Sequence, residues 1–117
     1  MSFKFEKIIV WHRSMEFGEI IFEFSKEFPD EEKFNLTSQI RRAVDSIALN
    51  IAEGSILQSK PEFQRFLGYS IRSLAEVVTC LYKAKNRYYI NDEEFNQNYK
   101  LAYDLMNSLI AFRNNLK

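Results

Sequence analysis

The sequence predicts an all-α protein, an antiparallel up-and-down four-helix bundle that occupies residues 1–117 as a single domain. Apolar residues recur at steps of three and four along four separate segments, which is the period of an amphipathic helix. Only 3 Gly and 2 Pro are present, too few for the many tight turns of a small all-β domain. The chain of 117 residues is 46% hydrophobic and contains 11 Phe, which is enough for one packed core but not for two.

The first two helices are predicted at residues 10–28 and 36–53. Pro29 ends the first helix, because proline has no N–H and disfavours the α conformation in the residue before it. Gly54 follows the second helix, at the position where glycine commonly serves as the C-terminal cap. The second helix carries an apolar stripe that is expected to face the core, formed by Leu36, Ile40, Ala43, Val44, Ile47 and Ile51.

The third and fourth helices are predicted at 60–88 and 92–114, after a loop at 55–58. Ser59 and Glu62 have the spacing of a capping box, and Asn91 and Glu94 repeat it before the fourth helix. Short connections between all four helices favour the up-and-down order. The third helix has a heptad pattern, which predicts near-parallel packing, at Phe63, Leu67, Ser70, Leu74, Val77, Leu81, Ala84 and Tyr88.

The fourth helix carries more apolar residues than one buried face requires. Between Phe95 and Phe112, 11 of 18 residues are apolar, whereas a single stripe would use about eight. One interpretation is a broadly buried helix with a few exposed aromatic side chains. The other is a second apolar face that supports assembly as a homo-oligomer.

Residue types that carry out catalysis or bind metals are scarce in this chain. The chain has one histidine, His12, and neither a second His nor a pair of Cys is present to complete a metal site with it. The single cysteine, Cys80, lies among apolar residues of the third helix. We therefore expect no catalytic residues, no metal, no cofactor and no enzymatic activity. No apolar run approaches the roughly 20 residues of a membrane span, so we expect no membrane contact and a cytoplasmic location.

The zero net charge combines two halves of opposite sign. Residues 1–58 contain 7 Lys/Arg and 10 Asp/Glu, whereas residues 59–117 contain 9 and 6. The third helix is basic, and one interpretation is that its charges, repeated around a ring of subunits, hold a phosphate backbone. The other is an ordinary solvated face. The basic residues of this helix are Lys60, Arg65, Arg72, Lys83, Lys85 and Arg87, and Arg41 and Arg42 add a basic pair on the second helix.

Polar residues interrupt the apolar faces of the second and third helices. Because buried polar groups require partners, we expect some of them to bond to one another or to the arginine pair at 41–42. Such a cluster either fixes the register of the two helices or forms a recognition site. This structural polar cluster comprises Asn50, Glu53, Ser73 and Glu76, with Ser70 nearby.

Four motifs in order along the chain resemble those of a known family: Gln39-Ile40-Arg41-Arg42-Ala43, Asn50-Ile51-Ala52-Glu53-Gly54, Glu62-Phe63-x-Arg65-Phe66-Leu67 and Ser73-Leu74-Ala75-Glu76. They resemble the four-helix-bundle proteins encoded in intervening sequences of bacterial 23S rRNA genes, also called S23. The resemblance covers nearly the whole chain, and the Asn-Ile-Ala-Glu-Gly string is its most specific part.

The resemblance implies a homopentameric barrel and kinship with the accessory variability protein of diversity-generating retroelements, which binds nucleic acid and a reverse transcriptase. Carried over by position, the resemblance implies Arg41, Arg42, Arg65 and Arg72 as the candidate nucleic-acid-binding residues, whereas Asn50 and Glu53 are structural. The first functional hypothesis is therefore an oligomeric bundle that binds structured RNA or DNA. The second is a protein-interaction scaffold, or an accessory subunit for a polypeptide partner such as a reverse transcriptase.

Overall fold

Four α-helices account for most of the protein in the computed structural model, which describes residues 1–56 and 59–117. They are α1 (Ile9–Ser25), α2 (Leu36–Ser55), α3 (Lys60–Asn86) and α4 (Asp92–Asn114), and the described residues contain no strand. Short 3₁₀ turns at Lys4–Lys7 and Asp30–Glu32 precede α1 and α2. Two residues of the predicted loop at 55–58, Leu57 and Gln58, lie outside the described residues. The all-helical class predicted from the sequence is confirmed.

The end of α1 lies before the predicted one because the chain tightens ahead of Pro29. The helix ends at Ser25, and the amides of Glu27 and Phe28 then donate to carbonyls three residues back, as in a 3₁₀ turn. The proline excludes Phe28 from the α conformation, so the last turn cannot continue as α-helix. Phe28 nevertheless reaches the core, with only 7% of its surface exposed.

Capping side chains fix the starts of α3 and α4, although the two starts differ. Asn91 Oδ1 accepts from the Glu94 amide at 2.8 Å, and Glu94 Oε1 accepts from the Asn91 amide at 3.0 Å, so the predicted capping box of α4 is confirmed. At α3, Ser59 Oγ accepts from the Glu62 amide at 3.3 Å, but the Glu62 carboxylate turns to Arg65 instead. The reciprocal half of the predicted α3 box is therefore absent.

The end of α3 contains a tyrosine in a backbone conformation that favours glycine. Tyr88 has φ 60°, and its amide donates to Lys85 O at 3.0 Å, while the Tyr89 amide donates to Ala84 O at 3.0 Å. These two bonds form a Schellman motif with Tyr88 at C′. The left-handed residue turns the chain out of the helix, so the Tyr88 side chain is 93% exposed and lies outside the predicted heptad.

The four helices pack around one core inside a body of 44 × 23 × 23 Å. Each helix contacts its neighbours in sequence, and α1 also contacts α4. Branched aliphatic residues fill the centre, where full burial of each side chain contributes about 1.5–3 kcal/mol. None of the described helices is both long and apolar enough to cross a bilayer. The largest fully buried apolar residues are Ile21, Leu36, Ile40, Val44, Ile47, Ile51, Leu67, Leu74, Val77, Leu81 and Leu109.

Gly54 lies inside α2, not beyond its end, and its φ is not positive. The prediction that it caps the helix is therefore wrong. A Cβ added at Gly54 would lie 2.6 Å from Phe66 Cβ and 3.0 Å from Phe63 Cδ1. The glycine is thus required by the close approach of α2 to α3, where no side chain fits between the two helices.

A buried glutamate joins the two connections at one end of the helices. Glu32, 6% exposed, precedes α2, and its Oε2 accepts from Arg87 Nη1 at 2.9 Å and from Tyr89 Oη at 2.7 Å, both in the α3–α4 connection. Its Oε1 accepts from Asn35 Nδ2 at 2.9 Å and from the Leu36 amide at 3.3 Å. The Tyr89 hydroxyl is the main cause that lowers the pKa of Glu32, whereas burial opposes the shift. The same hydrogen bond raises the pKa of Tyr89.

Candidate nucleic-acid interface

Two of the predicted arginines flank a tyrosine on the exposed side of α3. Arg65, Tyr69 and Arg72 are spaced by four and three residues, so they share one side of the helix. The guanidinium carbons of Arg65 and Arg72 each lie 5.7 Å from the Tyr69 ring centroid, and Arg65 Nη1 donates to Tyr69 Oη at 2.9 Å. We call these three residues the α3 basic face.

Glu62 and Phe66 adjoin the α3 basic face and modify it. Arg65 Nη2 donates to Glu62 Oε2 at 2.5 Å, and this bond is the main cause that raises the pKa of Arg65. Both side chains are about half exposed, so the ion pair contributes little to stability but offsets one positive charge. The Phe66 ring lies 5.4 Å from the Tyr69 ring, edge to face, and 5.3 Å from the Arg65 guanidinium carbon.

The other two predicted arginines, Arg41 and Arg42, lie on α2 and differ from each other. Arg41 is half-buried: its Nε donates to Ser25 Oγ at 2.7 Å, and its guanidinium carbon lies 4.5 Å from the Phe22 ring centroid. It therefore holds α2 against α1 and does not join the α3 basic face. Arg42 is exposed one helical turn before Ser46, on the side of α2 that meets α3.

The predicted polar cluster exists only in part, and its centre is a residue that sequence reasoning missed. Ser46 Oγ accepts from Asn50 Nδ2 at 2.9 Å and from Ser73 Oγ at 2.9 Å, so it joins α2 to α3. The buried Ser70 donates to Ile47 O at 2.8 Å nearby. Glu53 and Glu76 are exposed and take no part in these bonds. The bonds fix the register of the two helices, in agreement with the structural interpretation.

Tyr69 is the second residue that sequence reasoning missed. Tyr69 lies four residues after Arg65 and three residues before Arg72. This helical spacing is the signal that would have identified it. A count of charges does not include this tyrosine, whereas surfaces that bind single-stranded nucleic acid combine aromatic rings with arginine.

The two reactive residue types are engaged in ordinary structural contacts. His12 Nε2 donates to Glu6 O at 2.6 Å and holds the first 3₁₀ turn against α1. Cys80 is 3% exposed, and burial, with Glu76 as the next cause, raises the pKa of its thiol. A thiol protonated in this way is a poor nucleophile at neutral pH. Over residues 1–56 and 59–117, no three His, Cys, Asp or Glu side chains lie together as a metal site would require.

The fourth helix exposes part of its apolar surplus. Leu101, Tyr103 and Ile110 are 41%, 57% and 41% exposed, which fits both interpretations: a broadly buried helix with a few exposed side chains, and an apolar face for assembly. Neighbouring rings follow one another within 6.4 Å between centroids, beside a groove of about 250 Å³ between α3 and α4. We call this surface the aromatic face: Tyr82, Phe95, Tyr99 and Tyr103.

A second apolar surface lies between α1 and α2, on a different side of the molecule. Its groove of about 440 Å³ is lined by Trp11, Met15 and Leu49, among others. Glu19 and Asp45 also line it, which makes the groove acidic. We call it the α1/α2 groove.

Comparison with known proteins identifies a family and a similar solved structure. The family model described as 23S rRNA-intervening sequence protein matches residues 6–111. A crystal structure of a protein of unknown function from the S23 ribosomal protein family of Bacteroides thetaiotaomicron is similar, with a TM-score of 0.82 and 26% sequence identity. The similarity covers 90% of this chain and 98% of that one. No curated protein matches the chain.

Proposed function

The chain belongs to the family of 23S rRNA-intervening sequence proteins, and on this premise we propose that it is a non-enzymatic, homo-oligomeric helical bundle that binds structured RNA or DNA in the cytoplasm. The observation that carries the proposal is the α3 basic face, where Arg65 and Arg72 flank the Tyr69 ring at 5.7 Å. Guanidinium groups donate bidentate hydrogen bonds to phosphate and stack on flat rings, so such a face suits a nucleic acid.

The arrangement of charge explains how a neutral chain binds a polyanion. The side of α1 and α2 that forms the groove includes Glu19 and Asp45, whereas Arg65 and Arg72 lie on α3. Attraction to phosphate depends on the local field more than on net charge. In an oligomer each subunit adds one α3 basic face, so modest attraction at one face is multiplied over several.

The test is binding of a fluorescein-labelled RNA hairpin over a salt series, measured by fluorescence anisotropy. We expect affinity to fall as salt rises, because binding of phosphate by the α3 basic faces of several subunits releases counterions. Replacing both Arg65→Ala and Arg72→Ala should weaken binding at low salt about tenfold or more, and should lower the slope of log affinity against log salt by about one per lost phosphate contact.

Two controls make this result specific. Glu62→Gln removes the carboxylate that offsets Arg65 and should strengthen binding, while the Glu62 backbone amide still donates to Ser59. The double variant Lys100→Ala and Lys117→Ala removes the same charge elsewhere and should retain parent affinity. Absence of RNA binding at low salt contradicts the proposed function, and so does an equal loss of RNA affinity in the two double variants.

We also propose that successive helices run antiparallel and that the bundle assembles as a closed ring, with five copies as the resemblance implies. Gly54 near the end of α2 approaches Phe66 near the start of α3, and Ser46 in mid-helix pairs with Ser73, which supports the antiparallel order. A ring needs two different surfaces on each subunit. The aromatic face and the α1/α2 groove are two such surfaces.

Light scattering after gel filtration tests the assembly. We expect a mass about five times that of the monomer, and we expect Tyr103→Glu to lower it, because the substitution places a charge in the aromatic face. Phe34→Glu is the matched control, since Phe34 is 89% exposed outside both surfaces. A monomeric parent protein, or equal masses for the parent and Tyr103→Glu, contradicts the proposed assembly.

The second candidate function is a protein-interaction scaffold, or an accessory subunit for a polypeptide partner such as a reverse transcriptase. The α1/α2 groove favours it, because an apolar groove with acidic residues suits an amphipathic helix that carries lysine or arginine. Such a partner would co-purify with the parent protein after nuclease treatment. Met15→Glu should abolish that co-purification, whereas the double variant Arg65→Ala and Arg72→Ala should leave it unchanged.

A further inference from the structure

We infer that the α3 basic face binds unpaired nucleotides and stacks a base on Tyr69, so that the ligand of the proposed function is a single-stranded segment and not a duplex. This inference rests on the proposed function and names its ligand class. It rests on three properties of the face: its aromatic content, its small net charge and the spacing of its two arginines.

The first property is that rings and guanidinium groups alternate on the face. Arg65 lies 5.3 Å from the Phe66 ring centroid and 5.7 Å from the Tyr69 ring centroid, and Arg72 lies 5.7 Å from the latter. Tyr69 and Phe66 are both half-buried on α3, so neither residue is fully enclosed by the protein. A base stacked on an aromatic ring typically contributes more to affinity than a single exposed charge does.

The second property is that the face has little net charge. Glu62 pairs with Arg65 at 2.5 Å, and Glu76 lies exposed four residues after Arg72. Carboxylates and guanidinium groups are therefore equal in number along this side of the helix. A duplex offers mainly phosphates to such a surface, and counterion release from one face would be small. Stacking on an unpaired base adds affinity that does not depend on charge.

The third property is the spacing of the two arginines. Arg72 is the seventh residue after Arg65, which places the two about 10.5 Å apart along the helix axis. Tyr69 lies between them, so a base on its ring would have a guanidinium group on either side for the neighbouring phosphates. In a duplex the faces of the bases are covered by their neighbours, and the Tyr69 ring would have no base to contact.

The experiment compares one fluorescein-labelled, unstructured RNA strand with the same strand annealed to its complement, at low salt. The parent protein should bind the single strand at least tenfold more tightly. Tyr69→Leu keeps apolar volume but loses the ring, and should weaken single-strand binding by about fivefold to a hundredfold while duplex binding changes little. Tyr69→Phe keeps the ring and should retain single-strand affinity, and so should Phe34→Leu, which removes an exposed aromatic residue elsewhere.

A second measurement does not depend on how the variants fold. A single strand that contains 5-bromouracil, irradiated in complex with the parent protein, should cross-link to Tyr69 or Phe66. Equal or tighter binding of the duplex, unaffected by Tyr69→Leu but lost with the Arg65 and Arg72 double variant, overturns this inference and leaves the proposed function standing. Binding of neither RNA overturns both.

Discussion

Gly54→Ala is expected to lower the free energy of unfolding by about 2 kcal/mol. The added Cβ would lie 2.6 Å from Phe66 Cβ, which is closer than carbon atoms tolerate without movement. Phe66 Cβ is attached directly to the α3 backbone, so a change of rotamer cannot relieve the contact. Instead α2 and α3 must separate, and the packing of nearby core residues is loosened. Urea unfolding followed by circular dichroism measures the loss.

Gly68→Ala is the matched control, because it is the same substitution in the middle of α3. The nearest atom to a Cβ at Gly68 is Arg113 Nε at 3.9 Å, which is ordinary contact. Alanine has the higher helix propensity, so this variant should be more stable than the parent by up to about 1 kcal/mol. We expect the change in the free energy of unfolding to have opposite signs in the two variants. A Gly54→Ala protein that is more stable than the parent would contradict the packing argument.

The helices were predictable because they depend on a periodic pattern within each segment. Four apolar stripes predicted four helices, and the structure has them. The ends were harder to predict where local geometry competes with that pattern. Phe28 and Tyr88 are apolar residues in phase with their helices, but a following proline and a left-handed turn exclude them from helical structure. Apolar periodicity does not report such backbone limits.

Gly54 and Glu32 show what one chain segment cannot reveal about itself. In sequence, Gly54 resembles a helix cap and Glu32 belongs to a polar link. In the structure, Gly54 lies against Phe66 of α3. Glu32 accepts a hydrogen bond from Tyr89, which is 57 residues away in the chain. Both roles depend on which helices are neighbours, and that information is absent from the local pattern.

The candidate site was predictable to the extent that one helix contains it. Charge and the family resemblance together indicate Arg65 and Arg72 on α3, and helical spacing alone places Tyr69 between them. The same reasoning includes Arg41, which is also basic. Its partners, Ser25 and Phe22, come from a different helix, and they engage its side chain in packing. Charge counts identify candidate residues, whereas tertiary contacts decide which of them remain available to a ligand.

Glu32→Gln is expected to lower the melting temperature at neutral pH by roughly 10 °C. The buried carboxylate accepts from Arg87, Tyr89 and Asn35, all of which are donors. A glutamine amide would direct one NH₂ group at these donors, so at least one donor that now bonds to the buried carboxylate would lose its acceptor, and a buried polar group without a hydrogen bond is destabilising. Glu31→Gln is the control: it removes the same charge from the exposed neighbouring residue and should shift the melting temperature by no more than about 2 °C.

The difference in melting temperature between the parent protein and Glu32→Gln should depend on pH if the charge of Glu32 stabilises the fold, and should not if only the shape of its side chain does. The pKa of Glu32 is lowered in the folded protein, chiefly by the Tyr89 hydroxyl. The stabilisation is therefore present above the ordinary glutamate pKa of about 4.3, and it is lost as pH falls through the lower folded-state value. The raised pKa of Tyr89 sets the upper end of the pH range in which this hydrogen bond stabilises the protein. The stabilisation by the Tyr89 hydroxyl is lost only as pH rises through the folded-state pKa, which lies above about 10. The gap in melting temperature between the parent and Glu32→Gln should therefore stay constant near neutral pH and narrow below about pH 4.3. A gap that persists unchanged into acid would show that the contribution of Glu32 comes from its shape and not from its charge.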